Sequence, residues 1–292
     1  MRTVEGIFCA GVDHHATALA ERERLVSLAG ERLTPHLIEH NGAEEVVFLS
    51  TCNRVEIYGV SSRRGPEITE ALGKAMPEGL GRAWRSARGM YLHQGLACWR
   101  HLSEVATGLC SMVVGEAEIL GQVRAAYQGS RELGGTGKAM HGLFQSALRA
   151  ARAARQAAGF GKADPSVGRC AAEALAEELG GEAVVWGQWT EAARACGVLA
   201  SALRGGELPW EEVHPGTGPA ALVDLGVPRT LTRLRRSYPQ AVWLDLEELA
   251  KRSEVLPESL GSIHRAEEVL RAHEKMWVGA GAREKSIRPS GG

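Results

Sequence analysis

The sequence predicts an α+β N-terminal domain, a small antiparallel sheet with helices, followed by a reduced α/β Rossmann-like domain and a C-terminal helix. Three observations carry this. From residue 4 to 76 the order is strand, two helices, two strands about one turn, and a helix, as in a small antiparallel α+β unit. Between residues 181 and 246, three short apolar runs alternate with helical or polar stretches, which indicates parallel strands with crossovers. Beyond them residues 258–277 carry one apolar stripe on an otherwise charged helix. The expected boundaries are 1–160, 161–250, 251–280, and a disordered tail over 281–292 rich in Gly, Arg, Lys and Ser.

Size and composition narrow the classes. A chain of 292 residues has room for roughly two domains and an ample core. Its six cysteines (Cys9, Cys52, Cys98, Cys110, Cys170, Cys196) form no C-x-x-C pair and have no histidine at finger spacing. That pattern argues against structural zinc and for reduced cytosolic thiols. No run of about 18 apolar residues occurs and the N-terminus resembles no signal peptide, so no membrane contact and a cytoplasmic location are expected. A formal net charge of -1 provides no global field for a polyanion, so any nucleic-acid contact must rest on local basic patches.

Residues 4–12 read as the first strand, ahead of His14-His15 and a helix over 18–29 with the charged run Glu21-Arg22-Glu23-Arg24. A second helix, 31–40, leads to the strand before Cys52. After the turn, Val55 and Ile57 alternate with Glu56 and Tyr58 as in a strand. Cys52 thus sits in a polar turn, beside the cation of Arg54, which would favour the nucleophilic thiolate. An ordinary semi-buried cysteine at a strand end is the alternative. Another helix is expected over 66–76.

From 93 to 109, Leu96, Trp99, Leu102, Val105, Ala106 and Leu109 recur at helical spacing. His101 falls roughly 100° or more from the centre of that stripe, which leaves a solvated position or a role in a pocket. Residues 108–115 break the pattern and a helix begins near Glu116, with Ser111 in the break and Gln122 turned from its apolar side. Polar side chains at a helix start suit a small charged ligand, with plain capping as the alternative. The helix over 141–158 carries Arg149, Arg152 and Arg155, either a solvated face or a patch for an RNA backbone.

Residues 165–181 read as a helix, 183–187 as a strand, and 190–203 as a helix. The connection, Gly187-Gln188-Trp189, lies where a dinucleotide fold presents its glycine-rich turn. An indole in place of the second glycine should obstruct a pyrophosphate. Strands over 221–225 and 241–244 and an acidic helix over 245–250 follow. This is space for about two βαβ units at roughly 30 residues each, where a full dinucleotide fold needs two βαβαβ halves.

Several segments together resemble the glutamyl-tRNA reductase family. They are Gly11-Val12-Asp13-His14-His15 with Arg22-Glu23-Arg24; Ser50-Thr51-Cys52-Asn53-Arg54; His101-Leu102; Gly108 through Glu116; and Ile119-Leu120-Gly121-Gln122-Val123. Val223-Asp224-Leu225-Gly226-Val227-Pro228-Arg229 resembles a later landmark of the family's cofactor domain. The resemblance implies that Cys52 attacks the ester carbonyl of glutamyl-tRNA(Glu) to give a thioester, which hydride from NADPH reduces to glutamate-1-semialdehyde for tetrapyrrole synthesis. His101 matches the histidine important for activity. Thr51, Asn53, Arg54, Ser111, Glu116, Ala117, Glu118 and Gln122 match positions that hold the glutamyl group, and Gly187, Gln188 and Trp189 match the cofactor turn. Arg54 suits the substrate's side-chain carboxylate, and an acid can read its α-ammonium. A homodimer and a following aminomutase are the further partners implied. Cys110 stands where the family usually has Asp, Glu118 where it usually has Gln, and the spinal helix and dimerisation bundle are represented only by the last helix. Besides the reductase, the sequence admits a thioester-forming esterase or acyl transferase, and a non-catalytic glutamyl-tRNA-binding regulator.

Overall fold

The computed structural model describes residues 6–30, 32–161, 167–179, 198–201, 220–226, 229–252 and 257–286. They fall into two compact units, Met1–Asp164 with Val255–Gly292, and Pro165–Glu254. In the first, β1 (Ile7–Asp13), β2 (Glu45–Ser50), β3 (Arg54–Val60) and β4 (Tyr91–Gln94) form a sheet in the order β2-β3-β1-β4. Every pairing in it is antiparallel, as the sequence predicts.

Both faces of this sheet are covered, which is why β3 is buried along its whole length. Phe8, Ala10, Val12, Val55 and Ile57 face a layer made by α1 (Leu19–Ala29), α2 (Leu33–Glu39), α3 (Pro66–Ala75) and α4 (Glu78–Ser86). Cys9, Tyr58 and Val60 face α5 (Leu96–Thr107), α6 (Ile119–Glu132) and α7 (Lys138–Ala158). The period of two in strands therefore sends Glu56 into the second layer, beneath helices, where a charge requires partners. Glu45 at the start of β2 ties that layer to the sheet. Its Oε2 accepts from the backbone N–H groups of Gly137 and Met140, each at 2.8 Å, capping the α7 N-terminus.

Two elements escaped the sequence pattern. The apolar residues of α4, Leu80, Ala83 and Trp84, are interrupted by glycines, and Trp84 supplies most of the buried bulk. β4 ends on His93 and Gln94, residues expected to begin the helix of His101. Gly95, with φ +58°, turns the chain so that α5 starts only at Leu96.

The second unit contains α8 (Val167–Leu179), β5 (Val198–Ser201), β6 (Ala221–Asp224), α9 (Thr232–Ser237), β7 (Val242–Asp245) and α10 (Leu246–Arg252) among the described residues. Its strands pair in parallel, β5-β6-β7. The helix expected over 190–203 is corrected here: residues 198–201 are a strand, because pairing with β6 overrides local helical pattern. The strand expected over 183–187 lies outside the described residues, as do Gly187, Gln188 and Trp189.

The last helix, α11 (Pro257–Ser286), belongs to the first unit and packs on α7 and α5. Ala266 and Leu270 enter its core, Trp277 stacks on Trp99 at 6.2 Å, and Arg100 pairs with Glu274 at 2.5 Å. The helix continues to Ser286, through the start of the tail expected from residue 281; residues 287–292 lie outside the described residues. No helix among the described residues is long and apolar enough to cross a membrane.

Candidate active site

Cys52 occupies the middle of the Thr51-Cys52-Asn53 connection between β2 and β3. Thr51 N–H donates to the Arg54 carbonyl at 2.9 Å, Asn53 N–H to Thr51 Oγ1 at 3.1 Å, and His14 N–H to the Asn53 carbonyl at 2.8 Å. Arg22, buried on α1, donates from Nη1 to the Cys52 carbonyl and from Nε to the Thr17 carbonyl at 3.2 Å. The cysteine is the half-buried residue between two buried neighbours, on a backbone held from three sides. Cys9, Cys52, Cys98 and Cys110 are not in disulfides.

Arg54, whose cation the sequence puts beside the thiol, directs its guanidinium to buried acceptors. It is fully buried, its Nη1 donating to Glu56 Oε1 at 2.9 Å and its Nη2 to the Cys110 carbonyl at 2.5 Å. Glu56 Oε1 also accepts from His101 Nε2 at 2.8 Å and Tyr91 Oη at 2.5 Å, while Oε2 accepts from Tyr58 Oη at 2.6 Å. Burial alone would raise the Glu56 carboxyl. Interaction with His101 and with the Arg54 guanidinium, and the hydrogen bonds from His101 and Tyr58, overcome that and hold it well below the usual carboxylate range. Burial and the adjoining Glu56 push the Tyr91 phenol up. The position off the apolar stripe thus resolves into a pocket: His101 turns inward to a buried carboxylate.

A second cluster is built on the break between α5 and α6. Gly108 and Gly115 both have φ above +80°, and Gly115 N–H donates to the Gly108 carbonyl at 3.0 Å, closing the loop. Arg155 on α7 clamps it from beneath, donating to the Thr107 and Glu116 carbonyls at 2.9 and 3.0 Å and to the Gly115 carbonyl at 3.1 Å. The basic row expected on this helix is therefore corrected, since Arg149 and Arg152 are exposed but Arg155 is buried. Glu116 is presented by this loop, ahead of α6. Its Oε1 accepts from Ser111 Oγ at 2.7 Å and from Asn53 Nδ2 at 3.5 Å. Burial raises its carboxyl, and the Ser111 hydrogen bond opposes that.

The structure brings Thr51, Asn53, Arg54, Ser111 and Glu116 into one connected group, through the Asn53-Glu116-Ser111 bonds and the Arg54 bond to Cys110. Gln122 stands on the first turn of α6, while Ala117 and Glu118, at its start, are exposed. Buried polar atoms without a hydrogen-bond partner include His14 Nδ1, Asn53 Oδ1, Arg54 Nε and Gln122 Oε1. Buried polar groups are normally satisfied, so the open atoms of Asn53 and Arg54, beside Cys52 in the chain, suit a small polar ligand. Sequence reasoning left Glu56, Tyr91 and His93 out of the site. A glutamate inside an otherwise apolar strand was the available signal.

Cys9, Glu56 and His101 offer ligand atoms within 4.8 Å of one another. Both Glu56 oxygens already accept from four donors, one of them a guanidinium, so the cluster is hydrogen-bonded rather than built for a cation.

Residues 10–158 match the family described as glutamyl-tRNAGlu reductase, N-terminal domain. The chain belongs to the glutamyl-tRNA reductase family. The glutamyl-tRNA reductase of Chloroflexus aggregans is 37% identical over 187 residues, covering 60% of this chain and 40% of that protein. That of Salinispora tropica is 32% identical over 235 residues, 80% of this chain and 50% of that protein. The chain therefore spans half or less of these curated relatives. The solved glutamyl-tRNA reductase from Methanopyrus kandleri shares the fold, with a TM-score of 0.50 at 20% identity, over 97% of this chain and 80% of that one.

Proposed function

We propose that the chain acts on glutamyl-tRNA(Glu) as a glutamyl-tRNA reductase, with Cys52 as the nucleophile. The observation that supports this most is the connected group of Asn53, Ser111 and Glu116 beside a half-buried cysteine on a pinned turn. The Cys52 sulfur forms a bond to the ester carbonyl carbon, the ester C–O bond to the tRNA ribose breaks, and the ribose oxygen takes the proton given up by the thiol. Glu116 and Asn53 orient the glutamyl group, and Arg54, whose Nε is buried without an acceptor, adds a fixed positive charge.

In the family reading NADPH supplies hydride to the thioester, giving a semialdehyde for a following aminomutase. Among the described residues of the second unit, the carboxylates at two strand ends are taken up by their own loops. At the C-terminal end of β6, where a dinucleotide would bind, Asp224 Oδ2 accepts from Thr230 and Leu231 N–H at 2.7 and 2.6 Å, and Oδ1 from Gly226 N–H at 3.1 Å. At the end of β7, Asp245 Oδ1 is bound by Glu247 and Glu248 N–H, each at 3.0 Å, and Oδ2 by Trp243 Nε1, also at 3.0 Å. Each carboxylate closes its own loop, and no reductive step is derived through these residues. The indole of Trp189 in the glycine turn favours, as a second reading, acyl transfer from Cys52 to water or another nucleophile.

Single-turnover reaction with glutamate-labelled tRNA separates the readings. Semialdehyde formed only with NADPH supports the reductase, whereas free glutamate or trapped label regardless of NADPH supports acyl transfer alone. Cys52→Ser should abolish thioester label while leaving stability within about 0.5 kcal/mol. Wild-type protein that gains no label and yields no product refutes both.

A further inference from the structure

Of the charged run Glu21-Arg22-Glu23-Arg24, Arg22 alone is buried. It takes the place of an apolar residue in the buried stripe of α1, with Leu19, Leu25 and Ala29. From there its guanidinium reaches the Cys52 turn, donating from Nη1 to the Cys52 carbonyl and from Nε to the Thr17 carbonyl. A neutral donor would hold the same two carbonyls without the cost of burying a charge. Arg22 has no part in the function proposed above, yet it is a cation bonded to the nucleophile's own backbone.

Covalent geometry bounds its distance from the sulfur. Within one cysteine the carbonyl oxygen and Sγ are at most about 5 Å apart, and a hydrogen bond adds about 3 Å. The guanidinium nitrogen therefore lies within about 8 Å of Sγ whatever the side-chain rotamer. At that range, with the effective dielectric of a site near the protein surface, one unit charge changes the thiol–thiolate ratio by about 10–30-fold.

The other charged groups around the turn are accounted for. From β3, Arg54 sends its Nη1 to Glu56 at 2.9 Å and shares its charge with that buried carboxylate. From the loop before α6, Glu116 reaches Asn53 at 3.5 Å. At the end of β1 stand Asp13, His14 and His15, and His14 N–H bonds the Asn53 carbonyl. The His14 ring reports the sign of the local field. Its pKa is lowered to about 4, first by burial and then by the charges of His15, Arg54 and Arg22, against Asp13.

We propose that Arg22 is a positioning residue that prepares Cys52 for attack, fixing the carbonyl of the turn and setting a positive charge near the sulfur that favours the thiolate at neutral pH. Its use in acyl transfer rests on the function proposed above. In that step the thiol proton passes to water and the thiolate sulfur bonds to the ester carbonyl carbon. The ribose oxygen leaves with the C–O electron pair and takes a proton back from water.

Alkylation of the full chain with iodoacetamide, followed at the Cys52 peptide by mass spectrometry, tests this without tRNA. Wild-type Cys52 should react at pH 7 at about a fifth or more of its pH 9.5 rate, where an unperturbed thiol reaches only about 3%. Arg22→Gln, which keeps an amide donor and loses the charge, should lower that ratio by about 5–15-fold. Arg22→Lys, which keeps the charge, should restore it. A turn that is merely loosened would change the rate at both pH values and leave their ratio alone. A wild-type ratio of only about 3% overturns the proposal, as does an Arg22→Gln ratio within about twofold of wild type. If Arg22→Gln fails to fold, the wild-type ratio is still a test that the proposal can fail. Protein with the expected ratios that never takes label from glutamyl-tRNA overturns the function above and leaves the effect of Arg22 on the thiol standing. Protein that is acylated but has the ratio of an unperturbed thiol keeps that function and loses only Arg22.

Discussion

Replacing Arg155 with methionine separates two accounts of the α7 arginines. On the sequence pattern, Arg149, Arg152 and Arg155 are one basic row. In the structure only Arg155 is buried, and it makes three hydrogen bonds to the carbonyls of Thr107, Gly115 and Glu116. A hydrogen bond to a charged group contributes about 1.5–3 kcal/mol, but the three share one side chain, and removing the cation also removes its desolvation cost. The net loss should be about 3 kcal/mol. For a unit of this size each kcal/mol lowers Tm by about 2–4 °C, so Arg155→Met should melt about 6–12 °C lower. Urea unfolding followed by tryptophan fluorescence measures the change directly. Arg149→Met and Arg152→Met, both at exposed positions, should stay within about 0.5 kcal/mol of wild type. An Arg155→Met protein of wild-type stability, whose tRNA binding loses about one unit of salt dependence, would refute the clamp and restore the basic row.

Two further outcomes follow from the site. Gly11→Ala places a Cβ 2.5 Å from the Val55 carbonyl oxygen and 2.7 Å from Glu56 Cγ, so strand pairing must shift; chemical denaturation should show a loss of about 1–3 kcal/mol. His14 is held neutral, its pKa lowered to about 4 by burial, with the nearby charges of His15, Arg54 and Arg22 acting the same way and Asp13 opposing. Because the unfolded chain takes up this proton more readily, His14 contributes no penalty above about pH 6.5 and a growing one as pH falls towards 4. Stability measured against pH should therefore fall less steeply across that window in His14→Asn than in wild type, and parallel curves would contradict the assignment.

The Cys52 turn was legible because its signals are local. Alternation in Val55-Glu56-Ile57-Tyr58 and the β-branched run before Thr51 specify strands on either side of Cys52, whatever the rest of the chain does. The stripe through Leu96, Trp99, Leu102 and Val105 likewise specifies a buried helix face. What local pattern does not carry is which side chains meet across elements. The helix expected from His93 onward takes in the last two residues of β4, and pairing with β1 decided that His93 and Gln94 are strand. Residues 198–201 became a strand for the same reason, through β6.

Charge shows the division most sharply. The sequence by itself determined that His101 lies off an apolar stripe, that Arg54 follows the cysteine, and that Glu56 alternates with apolar neighbours. Only the tertiary structure decided that these three share one carboxylate oxygen, because helices cover both faces of the sheet and leave β3 no solvent side. A buried ionised group must find its partners wherever the fold supplies them, and two of the four, His101 and Tyr91, come from α5 and β4, far along the chain from Glu56. Arg155 is the complementary case: its spacing from Arg149 and Arg152 is a property of the helix, but its burial is a property of the loop that packs upon it.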